Sequence, residues 1–427
     1  MKNRNIYRNR GKRQLWLVAA VCWCLLAAAG CRGDDGGEEQ SSLNSGLPIT
    51  LCLDGGFAVQ TRGTGTVGDA LSDGNYCWRG EKLNIFMFAK DTTQNPALTL
   101  ARDANGYLFN NTEISAPAAG EAKKVAQVPY GSTLYYPMGG RYDFFAYHAD
   151  NAATASPALS GNKKWMLLPV TIDGTQDLMV AKACPPAMQQ KAMESQGIDT
   201  ARCYGAYTAR RSIGYDGGYD AGGIQPYFTM NHILSRLVFY ATSTKSGVCD
   251  RNYFNAGQSD SVYSGVTIDS IIVTSPSSGN MIVGWTRDAN PASHLDGMGK
   301  PVAMPLKQRA ATNGEATSLV PLVPVRPQWN WIKDRPDTVR MGESLLLCPQ
   351  ESYQIKVVMT QLKVIKGRVI SYSFSHNQKL ALKLDTQFRP GKQYKVYFTA
   401  YSLQSILLDI ELVPWDYGEN IYVINEL

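Results

Sequence analysis

The sequence predicts an all-β protein, and three observations carry that prediction. Short runs with apolar residues at every second position recur along the chain. Glycine and proline, 39 and 21 of them, punctuate the runs. Helical 3.6-residue periodicity is almost absent. Short strands at intervals with Gly/Pro turns read as antiparallel β-sandwiches. The 427-residue chain is longer than one core normally serves, so two sandwiches are expected.

The elements follow in chain order. Lys2, Arg4, Arg8, Arg10, Lys12 and Arg13 form a basic opening, and residues 15–29 form an apolar run of 15 residues. A membrane span needs about 20 residues, so this run fits a cleaved export signal. An uncleaved transmembrane anchor is the alternative. Small residues, Ala27 to Gly30, then precede Cys31. That is the pattern a lipoprotein signal peptidase needs, because its site must admit the backbone closely; the Cys31 thiol is then the lipid attachment point. Leucine is common three residues before such a cysteine, and Ala28 stands there instead. Residues 31–47 begin with an acidic, glycine-rich stretch that cannot bury a core and reads as a flexible tether.

Strands are then predicted at 48–53, with Ile49, Leu51 and Leu53 on one face, and at 82–89, 141–148, 164–168 and 177–181. Residues 187–196 read as a short helix. Residues 214–223 are too glycine-rich for regular structure and read as a linker; the repeated Tyr-Asp there admits a calcium or ligand loop as the alternative. This places an N-terminal domain at 48–223 and a C-terminal domain at 224–427, after a signal peptide at 1–30. In the second domain, strands are predicted at 237–241, 266–274, 353–359, 369–374, 380–384, 394–401, 406–412 and 420–424.

Composition excludes several functions. The precursor has 42 Lys+Arg and 36 Asp+Glu, and six of the basic residues precede Cys31. The chain beyond the signal is therefore formally neutral, with no global electrostatic case for nucleic acid. The four histidines, His148, His232, His294 and His376, are too scattered to suggest a metal site. No GxSxG, HExxH or phosphate-loop motif occurs, so neither an enzyme nor a cofactor is expected; a glycosidase built from acids brought together by the fold stays formally open. An exported chain allows disulfides. Cys184 and Cys203 flank one loop-like stretch and are the first candidates for a pair, though sequence does not fix pairing. Trp329 and Trp331 form an aromatic pair that could stack on sugars or make a hydrophobic contact.

Several segments resemble the fimbrillin family, the pilin-like lipoproteins of Bacteroidetes. They are Tyr135-Tyr-Pro-Met-Gly-Gly-Arg-Tyr-Asp-Phe-Phe-Ala-Tyr147, Asp177-Leu-Met-Val-Ala181, His232-Ile-Leu-Ser-Arg-Leu237, Leu345-Leu-Leu-Cys-Pro-Gln350, Phe388-Arg-Pro-Gly-Lys-Gln-Tyr394 and Val413-Pro-Trp415. Their order and spacing cover roughly residues 46–420. The family usually has phenylalanine two residues before the histidine of the third segment, and Met230 stands there. The acidic stretch after Cys31 resembles the signal that sends such lipoproteins to the cell surface.

The resemblance implies two tandem transthyretin-like Greek-key β-sandwich domains, anchorage in the outer membrane through lipid on Cys31, and assembly with other fimbrial subunits by strand exchange. It places a trypsin-like cut between Arg62 and Gly63, after which a strand from the next subunit would replace the lost N-terminal strand. The candidate donor is the C-terminal strand, with Ile421, Val423 and Leu427 on one face. An uncut anchor or tip subunit, with a host glycan or protein receptor, and a surface glycan-binding lipoprotein are the alternatives.

Overall fold

The computed structural model describes residues 44–53, 81–90, 98–103, 106–116, 124–125, 134–185, 191, 195, 204–210, 224–245, 261–310, 318–330, 332–382 and 387–414. Among these the chain is nearly all strand. The regular exceptions are the helical residues Lys191 and Ser195, a one-turn helix at Ala206–Arg210 and a short 3-10 turn at Arg287–Ala289. The expected all-β class is thus what the chain adopts.

The centre of the N-terminal half is one mixed-length antiparallel sheet. Lys82–Ala89 pairs with Tyr142–His148, which pairs with Met179–Lys182, which pairs with Asn231–His232. Its two central strands read Leu-Asn-Ile-Phe-Met-Phe and Tyr-Asp-Phe-Phe-Ala-Tyr, nearly continuous apolar runs rather than strict alternation. Such runs need cover on both faces, and both are covered. Leu83, Ile85, Met87, Phe144 and Ala146 enter one core cluster, and Phe86, Phe88, Phe145 and Tyr147 enter the other.

The second of these clusters is shared with the C-terminal half. Trp165–Thr171 pairs antiparallel with Ser278–Trp285, so one four-stranded sheet draws strands from both sides of residues 223/224. Phe145 meets Trp285 edge-on at 4.7 Å between ring centres. The C-terminal half itself stacks two four-stranded sheets. One orders Val339–Leu347, Ser235–Ser243, Lys392–Ser402 and Ser405–Pro414; the other orders Pro301–Pro305, Ser261–Pro276, Ser352–Ile365 and Arg368–Ala381. The pairing of Ser235–Ser243 with Lys392–Ser402 is parallel. Val238 aside, the alternate residues Leu237, Phe239 and Ala241 face Ile268, Ile271, Val273, Ile355, Val357 and Met359 in one dry core.

Several strand ends shift from the expected bounds, and two runs are divided differently. The runs predicted at 369–374 and 380–384 are one continuous strand, Arg368–Ala381. The polar residues between them stay in register opposite Ser352–Ile365, because backbone pairing needs no apolar side chain. The strand predicted at 48–53 is two pieces, Asn44–Pro48 and Leu51–Leu53, broken at Ile49 and Thr50. The predicted linker 214–223, nearly all of the predicted helix 187–196, and the predicted strand 420–424 lie outside the described residues.

Candidate assembly site

The sequence-predicted site residues Cys31, Arg62, Gly63, Ile421, Val423 and Leu427 all lie outside the described residues. The described chain does include the strand that precedes the candidate cut, and its seat can be built residue by residue.

Asn44–Pro48 runs antiparallel to Tyr135–Pro137. The Ile49 amide then donates to the Leu134 carbonyl at 2.8 Å. The chain crosses over at Thr50, where the Gln225 side chain braces it. The Thr50 amide donates to Gln225 Oε1 at 3.0 Å, Tyr136 Oη donates to the same oxygen at 3.3 Å, and Gln225 Nε2 donates to the Pro48 carbonyl at 3.4 Å. Leu51–Leu53 next becomes the middle strand of three. It lies antiparallel to Lys124–Val125 on one side and parallel to Tyr227–Phe228 on the other, with the Cys52 amide donating to the Pro226 carbonyl at 2.8 Å.

Alternation decides which side chains are buried. Leu51 and Leu53 point into the core cluster that holds Tyr136, Phe144, Ile224 and Phe228, and Leu53 is wholly buried. Leu47 and Ile49 pack against the same cluster from its rim. Burying a leucine stabilises by about 1.5–3 kcal/mol. The predicted common face of Ile49, Leu51 and Leu53 is what the structure has. Taking residues 44–53 away would leave a one-strand gap between two unpaired edges, floored by apolar side chains. Open edges of this kind accept an incoming strand. Gln225 carried no signal in the sequence; it is one polar residue after a glycine-rich stretch.

A second arrangement joins two of the segments singled out above. Asp177 Oδ1 lies 2.9 Å from His232 Nδ1, both residues buried. The Asp177 amide donates to Asp150 Oδ2 at 2.7 Å, and Asp150 Oδ1 lies 2.9 Å from His148 Nε2. His148 Nδ1 lies 2.7 Å from the Lys82 carbonyl. Both ring nitrogens of His148 therefore face acceptors, which suits the doubly protonated ring. Burial opposes that charge, but the Asp150 hydrogen bond and charge, the Lys82 carbonyl and Asp177 outweigh it and hold the ring above its usual range. Close by in the chain, Arg236 is buried with its Nε donating to Ser344 Oγ at 3.1 Å; burial and then Arg340 lower it to about 10. No group of three or more metal-ligating side chains occurs among the described residues. His148 and His232 are thus structural parts of a buried arrangement that links the two halves. Their spacing in sequence carried no hint of it.

Trp329 is half-buried in a small hairpin, Gln328–Asn330 with Arg335–Asp337, and Lys245 Nζ lies 5.5 Å from its ring centre. Trp331 lies outside the described residues, as does Cys203, the proposed partner of Cys184. Cys348 is buried; its Sγ donates to the Pro276 carbonyl at 3.3 Å, and burial pushes the thiol up to about 12.

No protein-family profile and no curated protein matches the chain. Solved structures similar to it include a fimbrial protein from Bacteroides vulgatus, with 12% identity, a TM-score of 0.44, and 86% of this chain and 99% of that chain covered. The fimbrial anchor protein Mfa2 from Porphyromonas gingivalis is similar at 12% identity and a TM-score of 0.30, with 86% of this chain and 98% of that one covered.

Proposed function

We propose that this chain is a cell-surface fimbrial subunit, exported as a lipoprotein through Cys31 and assembled by donor-strand exchange after proteolysis at Arg62–Gly63. The observation that supports it most is the middle position of Leu51–Leu53. This strand has a neighbour on each side and an apolar floor beneath it, and it lies on the N-terminal side of the candidate cut. Cleavage converts a covalently attached strand into one held only by its contacts. A strand of another subunit with the same alternating apolar pattern can then take its place, through backbone hydrogen bonds for strength and alternate pockets for specificity. The candidate donor is the segment carrying Ile421, Val423 and Leu427. In this reading other fimbrial subunits are the partners, the outer membrane is the site of anchorage, and the role is adhesion without catalysis.

The test is limited trypsin digestion followed by N-terminal analysis, gel filtration and electron microscopy. The expected result is one early cut with a new terminus at Gly63, followed by oligomers. A chain that resists cutting near Arg62 and never forms oligomers fails this reading. An N-terminus that stays at lipidated Cys31 on the cell surface, with a co-purifying fimbrial partner, would instead fit the uncut anchor or tip subunit.

A further inference from the structure

Among the described residues, the C-terminal sandwich carries a sheet face whose apolar side chains are partly exposed. In Arg368–Ala381 the side of the strand that bears the buried His376 and Leu380 continues through Phe374, Tyr372 and Ile370, which are 39–41% exposed. Their partners on Ser352–Ile365 are Met359, Gln361 and Lys363 in turn. Met359 is buried, so the cover of the second sheet ends there. On the third strand Tyr263, 45% exposed, lies opposite Lys363, and Val266 opposite Gln361. Tyr263 and Val266 are three positions apart, which in regular strand would put them on opposite faces. The register shifts between them, and this bulge brings both to one side. Ser264 pins it: Gln361 Nε2 donates to the Ser264 carbonyl at 2.8 Å, and the Leu362 amide donates to Ser264 Oγ at 2.9 Å.

The result is a platform, Tyr263–Lys363–Tyr372 with Gln361 and Phe374 beside it. Lys363 Nζ lies 4.7 Å from the centre of the Tyr263 ring. Its hydrogen bond with Tyr263, helped by Tyr372, holds the ammonium firmly charged. The two tyrosines sit two strands apart, roughly 10 Å by strand spacing, a span comparable with two linked sugar rings. Residues 261–268 and 361–374 contain no aspartate or glutamate, while Lys363, Lys366 and Arg368 are all basic.

We propose that this platform is a binding site for an acidic polysaccharide, with Tyr263 and Tyr372 stacking on sugar rings and Lys363 pairing with a carboxylate. Flat aromatic side chains cover the apolar faces of pyranose rings. Gln361 supplies an amide beside them for hydroxyl groups. The charge is one-sided and needs an anionic partner. A membrane-inserting finger would carry its apolar residues at the tip; here the tip is Lys366-Gly367-Arg368, and the aromatic row runs along the sheet face.

The experiment is affinity electrophoresis of the purified protein in gels containing polygalacturonate, hyaluronate or neutral dextran, alongside sedimentation with vesicles containing anionic phospholipid. Retardation by an acidic polysaccharide, weaker in dextran and falling with salt, is expected. Tyr263→Ala with Tyr372→Ala should weaken it at least ten-fold. Lys363→Glu should remove the preference for the acidic chain. Tyr263 and Tyr372 are exposed and Lys363 is partly exposed, and the thermal midpoint reports whether each variant keeps its fold. If neither acidic polysaccharide retards the protein, if the double variant binds as well as the parent, or if vesicles bind with the same dependence on the two tyrosines, the proposal is wrong. None of those outcomes touches strand exchange, which trypsin and microscopy read separately.

Discussion

Leu51–Leu53 and Arg368–Ala381 are both strands with apolar side chains at alternate positions, and they meet opposite fates. The first sits between two neighbours, with Leu51 and Leu53 sealed in a core. Among the described residues the second pairs on one side only, and Ile370, Tyr372 and Phe374 continue its core-facing side to a partly exposed face. The residues alone do not decide the difference. Position within the sheet does: a middle strand is covered by its own domain, whereas an edge strand that outruns the facing sheet is covered only by something else. An apolar side chain left exposed along a well-ordered strand is therefore information about a partner.

The largest expected effect is a charge at each place. Leu53→Asp would put an unpaired carboxylate into a dry core and should cost on the order of 3–5 kcal/mol. Phe374→Asp changes a side chain that is already partly in water and should stay within about 1 kcal/mol. Urea unfolding of the two variants gives both values. Equal losses would mean that the Phe374 face of Arg368–Ala381 is as buried as the strand seat, and the comparison would collapse.

Much of this was legible, for identifiable reasons. Lys82–Ala89 has the predicted bounds, because Ile85 to Phe88 form an apolar run, with Leu83 one residue before it, that only a covered strand tolerates. The common face of Ile49, Leu51 and Leu53 followed from period two alone. Ser278–Trp285 was missed: Gly279, Asn280 and Gly284 look like turn residues, and its partner Trp165–Thr171 is far away in sequence. Local pattern carries no record of such a partner. The Asp177–His232 contact was missed likewise, although each residue lay in a segment already singled out; what joins them is tertiary pairing between Met179–Lys182 and Asn231–His232. Trp329, which drew attention in the sequence, is less exposed than Tyr372, whose exposure the strand pattern at 369–374 did not announce.

Two glycines give a smaller effect that sharpens the same contrast. Gly342 and Gly367 both have positive φ, +54 and +76. A Cβ at Gly342 would lie 2.5 Å from the Lys307 carbonyl oxygen, inside the closed side of the sandwich, whereas one at Gly367 meets nothing within 4 Å. Gly367 needs its conformation for the two-residue hairpin turn with Lys366, itself at φ +47. Gly367→Ala should therefore cost only backbone strain, about 1 kcal/mol. Gly342→Ala adds a clash with backbone that must move, and its denaturation midpoint should fall clearly further. A Gly367→Ala variant that lost as much would show the exposed turn to be packed.

The smallest expected effect is a pH slope set beneath the strand seat. His148 ends the strand that pairs with Lys82–Ala89, and the groups facing it are the Lys82 carbonyl, Asp150, Asp177 and, beyond Asp177, His232. Its pKa in the folded chain is raised above the ordinary 6.5. A group whose folded value is raised contributes fully below the unfolded value and loses that contribution as pH rises through the folded one. Stability should thus decline as pH is raised from about 6.5, and His148→Gln should flatten that part of the profile while lowering stability most at acid pH. Residues 361–374 contain no histidine, so Tyr372→Ala should leave the slope of the parent unchanged. A slope that survives His148→Gln would assign the titration to a different group and detach it from this sheet.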